Sequence, residues 1–244
     1  MDIVKNQSER EETNRNNLFE LFLANPIPPD EALFNLGLFC DRRHLMRFLY
    51  MNELYQKILG LPGVIMEFGC RWGQNEAWWT NLRGIYEPYN YTRKIVAFDT
   101  FSGFPSVDSK DGDHPIMKEG SYGVTKNYDV FLEDVLCCHE NEAPIPHVKK
   151  YELIKGDVIK TLPKYLERNT HTLISFAYFD MDIYKPTLFA LKAIWDKMPV
   201  GAILAFDELN HASFPGETRA VLEFAKGREL RKSQFSTVQA YIIK

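Results

Sequence analysis

The sequence offers little for thiol or disulfide chemistry. Its 244 residues include four cysteines, Cys40, Cys70, Cys137 and Cys138. They form no spaced CxxC pair of the kind that holds zinc, and the adjacent Cys137 and Cys138 are expected to pack rather than to react. No apolar run approaches the roughly 20 residues that span a bilayer, so no membrane partner is expected. An excess of one charge is missing too. With 29 Lys and Arg against 33 Asp and Glu, the formal net charge is -4, which gives no electrostatic reason to bind nucleic acid. The opening MDIVKNQSEREETNRNN is polar and acidic, unlike a secretory leader, so a cytoplasmic protein is expected. A small-molecule ligand suits this composition best.

Hydrophobic residues make up 45% of the chain and charged residues 25%, the balance of a globular protein with a substantial core. The first 17 residues are expected to fray. NLFELFLANP then reads as a short amphipathic helix stopped at Pro26. A second helix starts near Asp41, carries Leu45, Phe48, Leu49 and Leu54 broadly at helical spacing, and ends at Gly60 and Pro62. Residues 1–60 are therefore expected to form an N-terminal helical cap or lid, and residues 61–244 the main domain. From Val64 onward short apolar runs alternate with helical patterns. Strands are predicted at VIMEFG (64–69), KIVAFD (94–99), YELIKG (151–156), TLISFAYFD (172–180) and GAILAFD (201–207). The tail FSTVQAYII alternates and predicts an antiparallel edge strand. This is the signature of a doubly wound, mostly parallel sheet between two helical layers, an α/β/α sandwich. The polar segment from Phe101 to Tyr122 predicts a long loop, a candidate lid, with Trp72, Trp78, His114 and Tyr122 as candidate wall residues.

In such sheets ligands bind beyond the carboxyl ends of the strands, where acids and glycines gather here. EFGCRWGQN places Glu67, Gly69, Gly73 and Asn75 in the turn after the first strand. The glycines would let backbone approach a ligand closely, and the following helix offers unpaired N–H groups. The run is not a full GxGxxG fingerprint, and a merely tight turn is the plain alternative. Asp99 ends the second strand, where a carboxylate can accept from ribose hydroxyls. Asp157 follows the third strand, as a helix cap or an adenine contact. Together these positions favour a nucleoside-containing ligand.

The second constellation is Asp180 and Asp182 after the fourth strand, with Asp207 and Glu208 after the fifth. Bare carboxylates this close would repel one another. A hard divalent cation such as magnesium would offset the repulsion; so would a salt bridge from Lys185 or Arg219, or service as helix caps. His211 lies nearby, where it contacts substrate or metal or neither.

Taken in order, EFGCRWGQN, VAFDTFSGFP, LIKGDVIKTLP, FDMDIYKPTLFAL and VGAILAFDELN resemble the macrocin-type, or TylF-like, O-methyltransferases over roughly Leu61 to Phe224. The resemblance implies a class I fold with a seven-stranded sheet, S-adenosyl-L-methionine as methyl donor, Mg2+ as cofactor and a sugar hydroxyl as acceptor. It implies that Glu67, Gly69, Gly73 and Asn75 line the methionine and ribose side. Asp99, Thr100 and Phe101 would hold ribose and flank adenine, Gly103 matches the loop glycine, and Asp157 lies at the adenine end. Asp180, also beside the cofactor, would ligate the metal with Asp207 and Glu208, while Asp182 matches the general base. The family commonly has two aspartates where this chain has Asp207-Glu208. The expected acceptor is a glycosylated or nucleotide-linked sugar, and the high aromatic content suggests a homodimer face. The alternatives are a methyltransferase acting on a non-sugar oxygen or an amine, and a cofactor-binding scaffold that has lost catalysis.

Overall fold

The computed structural model describes residues 8–244. Five short apolar runs form the parallel strands β1 (Val64–Phe68), β2 (Ile95–Asp99), β3 (Tyr151–Lys155), β4 (Ile174–Phe179) and β5 (Ile203–Phe206), and β6 (Ala240–Ile243) closes the edge antiparallel to β5. The order is β3-β2-β1-β4-β5-β6. Sequential connection therefore reverses direction between β1 and β4, the switch point where such sheets open a crevice. Register aligns Phe68 with Phe98 on one side and Phe179 on the other, and the three rings stack at centroid separations of 5.2 and 4.8 Å. Aromatic stacking of this kind adds to area burial and fixes strand register just below the crevice.

Alternation along the strands sorts the core into two layers. Val64, Met66 and Phe68 face α6 (Val158–Arg168), α7 (Tyr184–Ile194) and α8 (Pro215–Phe224), whereas Ile65, Ala97, Phe176 and Tyr178 face α3 (Arg42–Lys57), α4 (Gln74–Tyr86) and α5 (Tyr128–Glu142). The three-layer architecture is the one the pattern implies. Among the described residues the sheet has six strands, where seven are expected. Beyond β6 a single antiparallel bridge joins Arg231 to Tyr241, so pairing at that edge is one residue long.

The frayed start is corrected from Ser8 onward, residues 1–7 lying outside the described residues. Helix α1 (Glu9–Leu23) begins at a capping box in which Ser8 and Glu11 satisfy each other's backbone N–H groups. Neither α1 nor α2 (Pro29–Phe34) buries a residue, and Phe19, Leu21, Leu23, Leu33 and Phe34 stand exposed on them. Helix α3, N-capped by Asp41, is different: it buries Tyr50, Met51, Leu54 and Tyr55 in the core. Cys137 and Cys138 do not pack. Leu132, Leu136 and Glu140 occupy the inward stripe of α5 at i, i+4, i+8, which leaves both thiols exposed. No helix of the described residues is long and apolar enough to cross a membrane.

Candidate active site

A cavity of about 470 Å³ opens at the switch point. On its β1 side the chain turns at Gly69, whose φ of 95° only glycine adopts easily, and a Cβ there would overlap the Asp180 carbonyl oxygen. Gly69 thus lets the β1 and β4 exits run side by side. Gly73 caps α4 with φ 73°, but the space in front of it is filled by Leu132 of α5, so it serves helix packing and does not line the cavity. Asp99 accepts from the N–H groups of Arg71 at 2.7 Å and Phe101 at 2.6 Å, holding the two loops that flank the cavity. Burial raises its pKa, and these two bonds oppose the rise. Thr100 closes the next turn on the Gly103 carbonyl at 2.6 Å. Asp157 caps α6 through the Ile159 N–H at 3.0 Å and also lines the cavity.

Behind this wall lies a polar pocket inside the core. The Asn75 amide donates to Glu67 at 2.6 Å. Among the described residues, Glu67 Oε2, Asn75 Oδ1 and both oxygens of Glu76 have no hydrogen-bond partner. Burial first, and then the charge of Glu76, push Glu67 well above the usual carboxylate range. Burial likewise pushes Glu76 up to about 7. Unpartnered acceptors beside a helix N-terminus and a ribose-competent Asp99 match the ammonium, carboxylate and hydroxyls of an amino-acid nucleoside. Glu76 carried no signal in the sequence beyond an acid in the first turn of a helix.

The acidic half is built by the exits of β4 and β5. Asp180 and Asp207 are anchored by their own N–H groups, on the carbonyls of Phe68 and Phe179, both at 2.9 Å. Their charges are met by Arg47 of α3, which donates to Asp207 at 2.6 Å and to Asp180 at 3.1 Å. The Tyr178 hydroxyl also donates to Asp207. Neither expected salt-bridge partner reaches the acids: Lys185 pairs with Asp108 at 2.9 Å, and Arg219 donates to the Lys110 carbonyl. Arg47 lies 133 and 160 residues from its partners, beyond any local pattern. Burial, then the charge of Asp207, raises the Asp180 pKa despite Arg47.

Asp182 stands apart from that pair. It is 8% exposed, lines the cavity, and holds a left-handed φ of 61°, so it lies past the strand and not in line with Asp180. Such backbone persists in a non-glycine residue only when its surroundings fix it. Its carbonyl accepts from the Glu217 N–H at 3.1 Å. Two residues on, the Tyr184 N–H donates at 2.6 Å to Asp111, a buried residue of the 101–122 loop. That loop is ordered and pinned: it carries a 3-10 turn at Ser109–Asp111 and folds back through Phe104 and Ser121. Burial and then the neighbouring Glu208 and Asp207 raise the Asp182 pKa well above its ordinary value. Glu208 is itself pushed up to about 8, chiefly by burial, and its Oε2 has no partner among the described residues.

Gly69, Asn75, Asp99, Thr100, Gly103, Asp157, Asp180, Asp182, Asp207 and Glu208 all border the one cavity; Glu67, Gly73 and Phe101 do not. Trp72 and Tyr122 are wall residues as expected, whereas Trp78 and His114 lie elsewhere. His211 packs its ring on Phe214 at 4.9 Å and is also off the cavity. As arranged, the described residues present no group of three or more His, Cys, Asp or Glu set to hold a metal. Asp180, Asp207 and the orphaned Glu208 Oε2 have the oxygen chemistry that a hard cation takes, but they are not set together as a ligand group, and Arg47 sits on two of them.

No family model matches the chain, and no curated protein matches it. Solved structures do. The calicheamicin methyltransferase CalS11 superposes with a TM-score of 0.94 at 40% identity, over 98% of this chain and 94% of that one. Apo CalS11, a TDP-rhamnose 3'-O-methyltransferase of calicheamicin biosynthesis, gives 0.85 at 37% identity, over 98% and 96%. The O-methyltransferase NovP, at 17% identity and a TM-score of 0.63 over 82% of this chain and 79% of that one, shares the fold. Near-complete coverage of both chains at that identity leaves no room for a different catalytic class, and this chain belongs to the CalS11 family, the class I S-adenosylmethionine-dependent O-methyltransferases.

Proposed function

We propose that this O-methyltransferase methylates a hydroxyl of a sugar, most simply a nucleotide-linked deoxysugar, and that it falls within the TylF-like group. The observation that carries the mechanism is Asp182, a buried carboxylate at the cavity wall with a raised pKa. The nature of the acceptor is supported by the name of CalS11, a TDP-rhamnose 3'-O-methyltransferase. The donor supplies an electrophilic methyl carbon on a sulfonium. Gly69, Asn75, Asp99 and Asp157 bind and orient it, with Glu67 and Glu76 behind Asn75 favouring its ammonium. Asp182 takes the proton from the acceptor hydroxyl as the oxygen forms its bond to the methyl carbon and the carbon–sulfur bond breaks. Raised basicity suits that task, because a carboxylate near its ordinary pKa is a poor base at neutral pH. Asp180, Asp207 and Glu208 would hold a divalent cation, whose chemistry is to stabilise negative charge on the acceptor oxygen. Holding both reactants in line supplies much of the rate. In this reading α1 and α2 form the lid of an N-terminal cap, and their exposed Phe19, Leu23 and Phe34 form the contact face of a homodimer.

The test is to incubate the purified enzyme with S-adenosylmethionine and a panel of nucleotide sugars, free sugars, phenols and amines. S-adenosylhomocysteine release and product mass are then followed. Methylation of a nucleotide sugar is the expected result; methylation of phenols or amines alone would replace the sugar acceptor.

A further inference from the structure

Three basic side chains line the cavity, and two of them are already engaged: Arg47 with Asp207 and Asp180, and His44 with Asp41 at 2.8 Å. Arg71 is the third. Among the described residues its side chain makes no ion pair and no hydrogen bond, and its Nε is buried without an acceptor. Asp99 and Asp182 feel its charge, yet neither comes within ion-pair distance. Two aromatic rings fix it instead. The guanidinium carbon lies 4.9 Å from the centre of the Tyr122 ring and 5.7 Å from that of Trp72, contacts that orient a guanidinium without using its N–H groups. The backbone is left-handed at both Arg71, with φ 46°, and Tyr122, with φ 63°. At Arg71 that turn is locked by its own N–H on Asp99 at 2.7 Å, and the Tyr128 hydroxyl holds the next carbonyl, that of Trp72, at 3.0 Å. Strain of this kind persists where a binding site demands it.

We infer that Arg71 is the phosphate-binding residue of the acceptor site: its guanidinium takes the diphosphate oxygens of a nucleotide-linked sugar while the sugar hydroxyl lies at Asp182. This rests on the nucleotide-linked acceptor proposed above. A planar fork meets phosphate with two parallel N–H groups on two oxygens, a charge-assisted pairing that lysine does not reproduce. A buried donor without an acceptor is costly, and a bound anion is one means of satisfying it. The placement fits as well. Tyr122 and Asp182 line the same cavity, whereas Trp72, on the other side of Arg71, is 42% exposed. Arg71 therefore stands between the reacting end and solvent, where the linking group of a long acceptor would pass. A carboxylate takes the same fork, but the donor's is matched by the N–H groups that open α4, which favours the acceptor as the source of the anion.

The experiment is calorimetric titration of the full-length enzyme, as wild type, Arg71→Met and Arg71→Lys, with S-adenosylhomocysteine alone and then, at saturating S-adenosylhomocysteine, with thymidine diphosphate and uridine diphosphate. Methionine keeps the side-chain stem and removes the fork. It should weaken binding of the preferred nucleotide by about ten- to a hundredfold, the range of hydrogen bonds to a charged group, and leave S-adenosylhomocysteine affinity as in the wild type. Lysine keeps the charge without the fork and should fall between the two, and it carries the test if Arg71→Met fails to fold. Nucleotide bound as tightly by the variants as by the wild type overturns the assignment and leaves the nucleotide-linked acceptor standing. Binding of neither nucleotide by the wild type overturns both. A loss of S-adenosylhomocysteine affinity as large as the loss of nucleotide affinity also overturns the assignment, and gives Arg71 to the donor.

Discussion

Replacing Glu76 by glutamine should make the enzyme more stable in alkaline buffer and less sensitive to pH. The Glu76 carboxyl is 1% exposed, both of its oxygens lack a hydrogen-bond partner among the described residues, and burial sets its pKa at about 7 in place of 4.5. A carboxyl whose folded pKa lies above its unfolded value binds more protons in the native state. Its stability cost is therefore absent below about pH 4.5, grows as pH rises, and is complete above about 7. That interval corresponds to a cost on the order of 3 kcal/mol. Glutamine removes the cost and supplies Glu67 with an amide donor, which repays part of the burial of Glu67 as well. Urea unfolding at pH 5 and pH 8 measures it: the variant should gain about 1–3 kcal/mol over wild type at pH 8 and little at pH 5. A variant no more stable at pH 8, or a difference that does not change with pH, would refute the reasoning. Since Glu76 is proposed to favour the donor's ammonium from behind Asn75, calorimetry should also find S-adenosylhomocysteine binding weakened in Glu76→Gln.

Four other variants test the remaining assignments. Asp182→Asn should keep S-adenosylhomocysteine affinity while kcat falls by at least about a hundredfold, the low end for general-base help; near-normal turnover would remove Asp182 as base. Activity should fall as pH drops through the raised Asp182 pKa, because the base must be ionised. Glu208→Gln removes a charge that raises that pKa, so the acid limb of its rate profile should move to lower pH, and an unmoved limb would show that the two groups are not coupled. Asp111→Ala strips acceptors from the Tyr184 and Asp108 N–H groups, which should cost about 2–4 kcal/mol in unfolding experiments and open the 101–122 loop to proteases. Deleting residues 1–40 should break the proposed homodimer in light scattering; a wild type that is already a monomer, or a dimer that survives the deletion, would remove α1 and α2 as its interface.

Much of the scaffold was legible because its causes are local. The five apolar runs became β1 to β5 and the alternating tail became β6, since short apolar runs buried on both faces between two helical layers leave few other arrangements. The strand-end acids converged because parallel strands send all their carboxyl ends to one edge. Local pattern was less informative where packing decides between alternatives. Gly73 looked like a ligand-facing glycine and proved to make room for Leu132. Cys137 and Cys138 looked like core residues, but the stripe of α5 turns them to solvent.

The sequence by itself determined the five parallel strands, the edge strand and the gathering of Asp180, Asp182, Asp207 and Glu208 at strand ends, because these follow from short apolar runs and chain direction; the strand order and its switch point came from the structure. The tertiary structure alone decided what those acids face. Arg47 is 133 residues from Asp180 and 160 from Asp207, and its pairing depends on how α3 lies against β4 and β5. The left-handed turn at Asp182 likewise depends on the Glu217 N–H and on the Asp111 brace at Tyr184. Charge compensation and backbone strain are settled by packing between distant segments, and a one-dimensional pattern carries no record of which segments will meet.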